Sequence, residues 1–397
     1  MTDDQLADAA RRFGTPLYVY DLNKVRRQVA RLREALPGAR LHYAVKANPS
    51  RALLRLLSSA GLGAEVITLG ELERAHRGGF PSRRLLVSGP GQDELLIERA
   101  LELEVGLVSL DGISQWRLWR PFIEERVRQA PATTALPRFL VRVNPQIDPG
   151  THPHLATGAP ISKFGSTPAE ARVLATELRT NGLLAGFHFH IGSQISSVDA
   201  YRLLGDLCSE LRDEFPDADL LDLGGGYAVP GFPLAEFAEF ATALAENLGL
   251  ELLLEPGRYL VADAGVLLTS VRHLKAGPVR HVIVDAGMAD LLRPALYGAA
   301  HPVRRLGDGG SDTHARTADL DGPLCENADR LAAAISLPVD LKPGDLLVVG
   351  ETGAYGMAMA SNYASSLRPA EAIFDGDELR LVRSRETVED LMRLELE

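Results

Sequence analysis

The run LHYAVKANPS places Lys46 near the end of a short, apolar, strand-like segment and follows it with Ala-Asn-Pro. An ammonium is costly to take out of water, so a lysine held there has its charge paired or its proton removed, and a neutral amine attacks carbonyl carbons. The plainer alternative is a solvated lysine whose stem lies along an apolar surface. The other polar groups of the chain decide between the two.

LDLGGGYAVP sets Gly224, Gly225 and Gly226 directly after an apolar run. Consecutive glycines let a backbone approach an anion and aim N–H groups at it, which suits a phosphate; a tight turn is the other reading. The pattern matches neither the P-loop nor the dinucleotide fingerprint. GFHFHIGSQ carries His188 and His190 two apart, on one face of a strand. Such a pair could ligate a metal, as could His152 and His154, but no carboxylate-rich ligand set follows, so no metal is expected. An imidazole can also lie flat on an aromatic cofactor. EPGRYLVADAG gives Glu255 and Arg258, either an ion pair at a turn or an acid facing a basic ring nitrogen beside an anion-binding guanidinium. In GPLCENADRL, Cys325 lies between Pro-Leu and Glu326, and GETGAYGMAMASNY follows late in the chain.

These residues need a scaffold that gathers them. Eight short runs rich in Val, Ile and Leu occur at 41–47, 62–67, 85–89, 105–111, 138–144, 184–192, 220–226 and 251–257. Between them lie segments of helical period such as RALLRLLSSA, DELLIERALEL, AEARVLATELRT and AEFAEFATALAENLG. That alternation predicts an α/β fold with a (β/α)8 TIM barrel, a doubly wound open sheet being the rival. Lys46, Glu65, Asp111, Asn144, His190, Gly224 to Gly226 and Glu255 all stand at the C-terminal ends of the runs. In a barrel those ends share one rim, where active sites are built.

After residue 262 the pattern changes to strand-like VLLTSVRHLK, RHVIVDAG, DLLVVG and AEAIFDGDELRLV, the last with an Asp375-Gly376 turn signal. This predicts a C-terminal antiparallel β domain, which the strand-like YVYDL at 18–22 joins from the N-terminus. The expected division is a barrel over 26–262 and a β-sandwich or β-barrel domain from 1–25 and 263–397. The Gly/Asp-rich stretch 304–322 reads as a loop.

The chain has 397 residues, 46% of them hydrophobic, enough for two domains with real cores. Its formal charge of -11 argues against binding nucleic acid or an anionic membrane. Two cysteines, Cys208 and Cys325, are too few for a disulfide framework, the first residues lack a signal-peptide pattern, and no apolar run is long enough to span a bilayer. The cytoplasm is the expected compartment.

Taken in order, FGTPLYVYD, YAVKAN, RVNPQIDPGTHPHLATG with SKFG, HIGSQI, LDLGGG, EPGR, VDAGMADLLRPALY, GPLCE, GAYG and SNY with RPAE resemble the fold-type III pyridoxal-phosphate-dependent decarboxylases over nearly the whole chain. Within that group the chain is most similar to the diaminopimelate decarboxylase family. The resemblance implies pyridoxal 5'-phosphate as cofactor, bound covalently by Lys46. It implies that Gly224, Gly225, Gly226, Ser193, Arg258 and Tyr355 hold the phosphate. His190 would stack on the ring, and Glu255 would pair with the ring nitrogen. It further implies that Arg258, Arg293, Tyr297, Glu326 and Tyr355 bind the far end of an amino-acid substrate. Cys325 and Glu326 would come from the second subunit of a homodimer, with Cys325 as proton donor. The activity so implied converts meso-2,6-diaminopimelate to L-lysine and CO2, the last step of lysine biosynthesis. A related substrate of carboxynorspermidine or siderophore-precursor type, or an inactive partner-binding homologue, is the alternative. Glu65 stands where the family more often has Asp, and ENAD replaces the commoner ESGD after Cys325.

Overall fold

Seventeen strands, β1 to β17, occur in chain order among the residues described by this computed structural model, which are 1–129, 135–147, 158, 162–307 and 314–396. His152 and His154 lie outside them. The contacts divide the chain into two compact units, Gln28–Tyr259 and Met1–Arg27 with Leu260–Glu397.

In the first unit, β2 (Arg40–Ala44), β3 (Gly63–Val66), β4 (Leu85–Val87), β5 (Leu107–Leu110), β6 (Arg138–Arg142), β7 (Leu184–His188), β8 (Leu220–Asp222) and β9 (Glu251–Leu254) pair in parallel and close into a barrel. Seven of the eight fall within one of the apolar runs, β2 starting one residue before its run at Arg40, and each run overshoots its strand at the C-terminal side. The strand stops where polar or glycine residues begin, and those residues are released to form the rim. Closure removes both sheet edges, so β2 pairs with β9 at Leu41↔Leu254.

Side chains two apart on a strand point the same way. Leu86, Leu107, Leu140, Leu220 and Leu253, with Ala185, pack as one apolar cluster contributed by six strands. Two residues beyond each of the five leucines stand Ser88, Ser109, Arg142, Asp222 and Glu255, all buried. A polar layer therefore sits on an apolar one inside the barrel.

Three of the helices between strands, Leu69–Gly78, Glu94–Glu102 and Pro168–Thr180, carry side-chain N-caps. Thr167 caps Pro168–Thr180 with a reciprocal Thr167–Glu170 box, and Asp93 accepts from the Leu96 N–H at the start of Glu94–Glu102. Leu174, Ala175 and Leu178 form the buried stripe of Pro168–Thr180.

In the second unit, β1 (Leu17–Asp21) lies between β10 (Gly265–Lys275) and β16 (Ala370–Asp375). The sheet continues through β11 (His281–Val284), β13 (Ala315–Asp321) and β14 (Arg330–Pro338) on one side and β17 (Glu378–Arg383) on the other. β15 (Leu346–Val349) pairs with β10 and with β12 (Val303–Arg305). Most pairings are antiparallel, but β1 with β16 and β11 with β13 are parallel, so the sheet is mixed. The N-terminal strand thus joins the C-terminal sheet as the YVYDL pattern predicts. Asp375 and Glu378 close the β16–β17 hairpin over Gly376 at φ +63°. Leu6, Leu17, Val19, Leu268, Val348, Ala372 and Phe374 form its core. The stretch 304–322, expected as a loop, instead contributes residues to β12 and β13 at its two ends; residues 308–313 lie outside the described ones.

Candidate active site

The lysine of the YAVKAN motif sits one turn beyond β2, in the short 3-10 segment Val45–Ala47. Its Nζ lies 2.5 Å from Glu65 Oε2, at the β3 position whose neighbour Ala64 pairs with Tyr43. Glu65 is 1% exposed and also accepts from the Ser88 hydroxyl on the segment after β4. A buried carboxylate with a cation and a hydroxyl on it is satisfied, and it orients the amine.

On the other side of β2 the rim continues with Glu255 after the neighbouring strand β9, then Asp222 at the end of β8 and His188 at the end of β7. His188 shares a 2.8 Å hydrogen bond between Nδ1 and the Ser109 hydroxyl, and its Nε2 lies 3.7 Å from Glu255 Oε2. Burial, then the Arg142 guanidinium, push the pKa values of His188 and His190 well below the usual imidazole value, so both rings are neutral. His190 accepts the Gly225 N–H at Nδ1, 3.2 Å away, which leaves the proton of the neutral ring on Nε2. Glu255 is pushed up by burial and by the Glu65 charge, and Asp222 by burial and by Glu255, whose carboxyl it contacts.

The glycine run is forced by close packing. A Cβ on Gly225 would meet Glu255 O at 2.3 Å, and one on Gly226, at φ +93°, would meet Gly192 O at 2.1 Å. Arg258 donates to the Ser193 hydroxyl at 3.2 Å, so two groups suited to an anion adjoin each other. Lys46, His190, Gly224 to Gly226 and Glu255 thus follow barrel strands at the C-terminal ends that the run pattern predicts, and Ser193 and Arg258 lie in the segments just beyond β7 and β9.

Among the described residues, His188, His190 and Glu255 bring three ligand-type atoms within 4.8 Å of one another. They are the same groups that surround the buried Glu255 carboxyl.

The remaining candidates belong to the second unit. Arg293 is buried at the start of the helix Arg293–Tyr297. His301 donates from Nδ1 to Gly350 O, so its Nε2 is the acceptor for Arg293 at 3.1 Å, and the arginine is held from behind. Tyr297 ends that helix, and Tyr355 is half-buried at φ +56°, a backbone conformation L residues seldom adopt. Cys325 is exposed. The turn bearing it is braced by Asp329, 2% exposed, which accepts from the N–H groups of Leu324 and Met288, both at 2.6 Å. Glu326 accepts from the Tyr363 hydroxyl at 3.1 Å.

Ser88, Ser109, Arg142, Asp222, His301, Asp329 and Tyr363 escaped the sequence reading. Four of them, Ser88, Ser109, Arg142 and Asp222, are polar residues inside the apolar runs, and their placement two residues after a leucine of the inner cluster is the signal that could have found them.

The family model "Pyridoxal-dependent decarboxylase, pyridoxal binding domain" matches residues 22–262. The chain is 40% identical to diaminopimelate decarboxylase of Deinococcus radiodurans, with 98% of each chain covered. It belongs to the pyridoxal-dependent decarboxylases, in the diaminopimelate decarboxylase family. The same enzyme of Aquifex aeolicus is 34% identical over 99% of this chain and 94% of that one. The crystal structure of Helicobacter pylori diaminopimelate decarboxylase complexed with L-lysine superposes with a TM-score of 0.90 at 32% identity, covering 98% of this chain and 99% of that one.

A pyridoxal-phosphate-dependent decarboxylase needs an amine, a phosphate cradle and an acid for the ring nitrogen. The barrel unit fits all three. Glu255 Oε1 is buried with no N–H or O–H donor among the described residues, which fits an acid that would take the protonated ring nitrogen.

Proposed function

We propose that this decarboxylase acts on meso-2,6-diaminopimelate and releases L-lysine and CO2. What carries the reading is the full-length identity to diaminopimelate decarboxylases together with one rim on which Lys46, His190, the glycine run, Glu255 and Arg258 stand. When bound, pyridoxal phosphate supplies a carbonyl carbon for an amine and a ring that takes up the electron pair left by departing CO2.

The residues divide that work. Lys46 tethers the cofactor, and Glu65 orients its amine. Glu255 keeps the ring nitrogen protonated, so electron uptake by the ring costs less. The neutral His190 ring covers one face of the cofactor. Gly224 to Gly226, Ser193, Arg258 and Tyr355 bind its phosphate.

At the substrate's far end, Arg293 and Tyr297, with Arg258 and Tyr355, bind the carboxylate, and Glu326 binds the ammonium by charge-assisted bonds. A substrate with only a distal amine would leave Arg293 without its anion, so an amino-acid-like far end is preferred. Cys325 returns a proton to the carbon that lost CO2. Cys325 and Glu326 reach the site from the second subunit of a homodimer, and the enzyme works in the cytoplasm. Among the described residues, no helix is long and apolar enough to cross a membrane.

The test is a product assay on the separate diaminopimelate stereoisomers with added pyridoxal phosphate. Stoichiometric lysine and CO2 from the meso isomer are expected. CO2 from a carboxynorspermidine-type substrate, with none from diaminopimelate, would overturn the substrate assignment.

A further inference from the structure

Glu255 does not stand alone in the barrel. Its β8 neighbour Asp222 is fully buried and stands opposite Leu253 in the β8–β9 ladder, two residues before Glu255, whose own N–H donates to Gly224 O at 2.7 Å, so the two buried acids adjoin. Asp222 Oδ1 accepts the Gly224 N–H at 2.7 Å, whereas Asp222 Oδ2 has no N–H or O–H donor among the described residues. Two ionised carboxylates cannot share such a site, because each loses its water and gains a like charge. One proton between them resolves both problems. An Asp222 acid keeps its Gly224 bond at Oδ1 and donates from Oδ2 to Glu255.

The charges around the pair favour the proton on Asp222. The cations that act on Glu255 are Lys46 and Arg142, themselves in ion pairs with Glu65 and Asp111. Asp222 instead feels Glu255 and Glu65, and the Tyr227 hydroxyl, which faces both acids, is turned to Gly224 O at 3.2 Å. His188 on β7, neutral, faces Glu255 from the other side. The anion of the pair is therefore Glu255.

We propose that Asp222 is a positioning residue for the decarboxylation: as a neutral acid it donates a hydrogen bond to Glu255, and so fixes that carboxylate as the partner of the cofactor's ring nitrogen. The inference rests on the reading of Glu255 given above. One Glu255 oxygen is taken by Asp222 and the other faces the ring nitrogen. The same bond to the Gly224 N–H joins the acid pair to the glycine run, so the phosphate cradle and the ring-nitrogen partner share a support.

The test compares Asp222→Asn, which keeps an N–H donor toward Glu255 and an oxygen toward Gly224, with Asp222→Ala, which keeps neither. The readout is the affinity of each apoprotein for pyridoxal phosphate and for the analogue in which a C–H replaces the ring nitrogen. Wild type and Asp222→Asn are expected to favour the natural cofactor by about the same factor. Asp222→Ala is expected to lose roughly tenfold of that preference, the worth of about one buried charge-assisted hydrogen bond, while its affinity for the analogue is retained and kcat falls more than KM rises. An unchanged preference in Asp222→Ala overturns the proposal, as does a loss in Asp222→Asn equal to that in Asp222→Ala, which would make Asp222 an anion.

A wild type with no preference overturns the role of Glu255 itself, and the inference with it. Should the alanine variant not fold, infrared difference spectroscopy decides: the wild-type minus Asp222→Asn spectrum carries the C=O stretch of a neutral carboxylic acid if the proposal holds, and lacks it if not.

Discussion

Lys46 Nζ and Glu65 Oε2 are 2.5 Å apart, the amine one-third exposed and the carboxylate buried. The anion favours the protonated amine, which is the unreactive form toward an aldehyde. Replacing Glu65 with Gln removes that bias, so apoprotein should capture pyridoxal phosphate with a pH midpoint lower than wild type. Rates of cofactor capture followed by absorbance across a pH series check this; identical midpoints would show that the ion pair does not govern the amine.

Lys46→Ala should lose decarboxylation by about three orders of magnitude or more, as expected when a nucleophile is removed. Borohydride reduction of the holoenzyme followed by peptide mapping should put the pyridoxyl group on Lys46. Label on another lysine would move the site.

If Cys325 serves the partner's site, Lys46→Ala and Cys325→Ala homodimers are each inactive, yet mixing and re-equilibrating them should restore about a quarter of wild-type activity, because half the dimers then hold one intact site of two. No recovery on mixing would place both residues of a site on one chain.

Gly226→Ala should lower stability by about 2–4 kcal/mol, because φ is +93° and the new Cβ would meet Gly192 O at 2.1 Å. Urea unfolding of the apoprotein measures it without involving the cofactor. A change within error would mean the turn relaxes.

Glu386 is hydrogen-bonded by Arg368, Arg383 and Asn362. Burial alone would raise its pKa, but the Arg368 bonds and the Asn362 amide bring it down to about 2. Its folded value lies below the unfolded one, so its stabilisation is present above the usual glutamate range and is lost as pH falls toward 2. Glu386→Gln should therefore cost ~1 kcal/mol at neutral pH, a modest figure because Arg368 is partly exposed. The difference from wild type should shrink on acidification, as read from urea curves across pH.

The barrel strands were legible because their signal is local. A strand buried on both faces must be a short apolar run, and the residues that break each run, such as Lys46 and Glu255, are where the strand ends. The N-terminal helix Asp3–Phe13 was passed over despite its Thr2–Gln5 capping box. In β13, ARTADLD has three buried residues, Ala318, Asp319 and Leu320, among polar ones, so its alternation is too weak to read as a strand. The parallel pairing of β1 with β16 joins segments about 350 residues apart, and no local pattern specifies it.

By itself the sequence determined the order and type of the barrel strands, the glycine run and the motif residues at their ends, because periodicity and residue chemistry are properties of neighbours along the chain. Only the tertiary structure decided that Asp222 meets Glu255, that Ser88 joins Lys46 on Glu65, and that Asp329 braces the Cys325 turn. Those contacts arise from barrel closure, sheet register and loop packing, and the protonation that follows depends on which charges share a buried site.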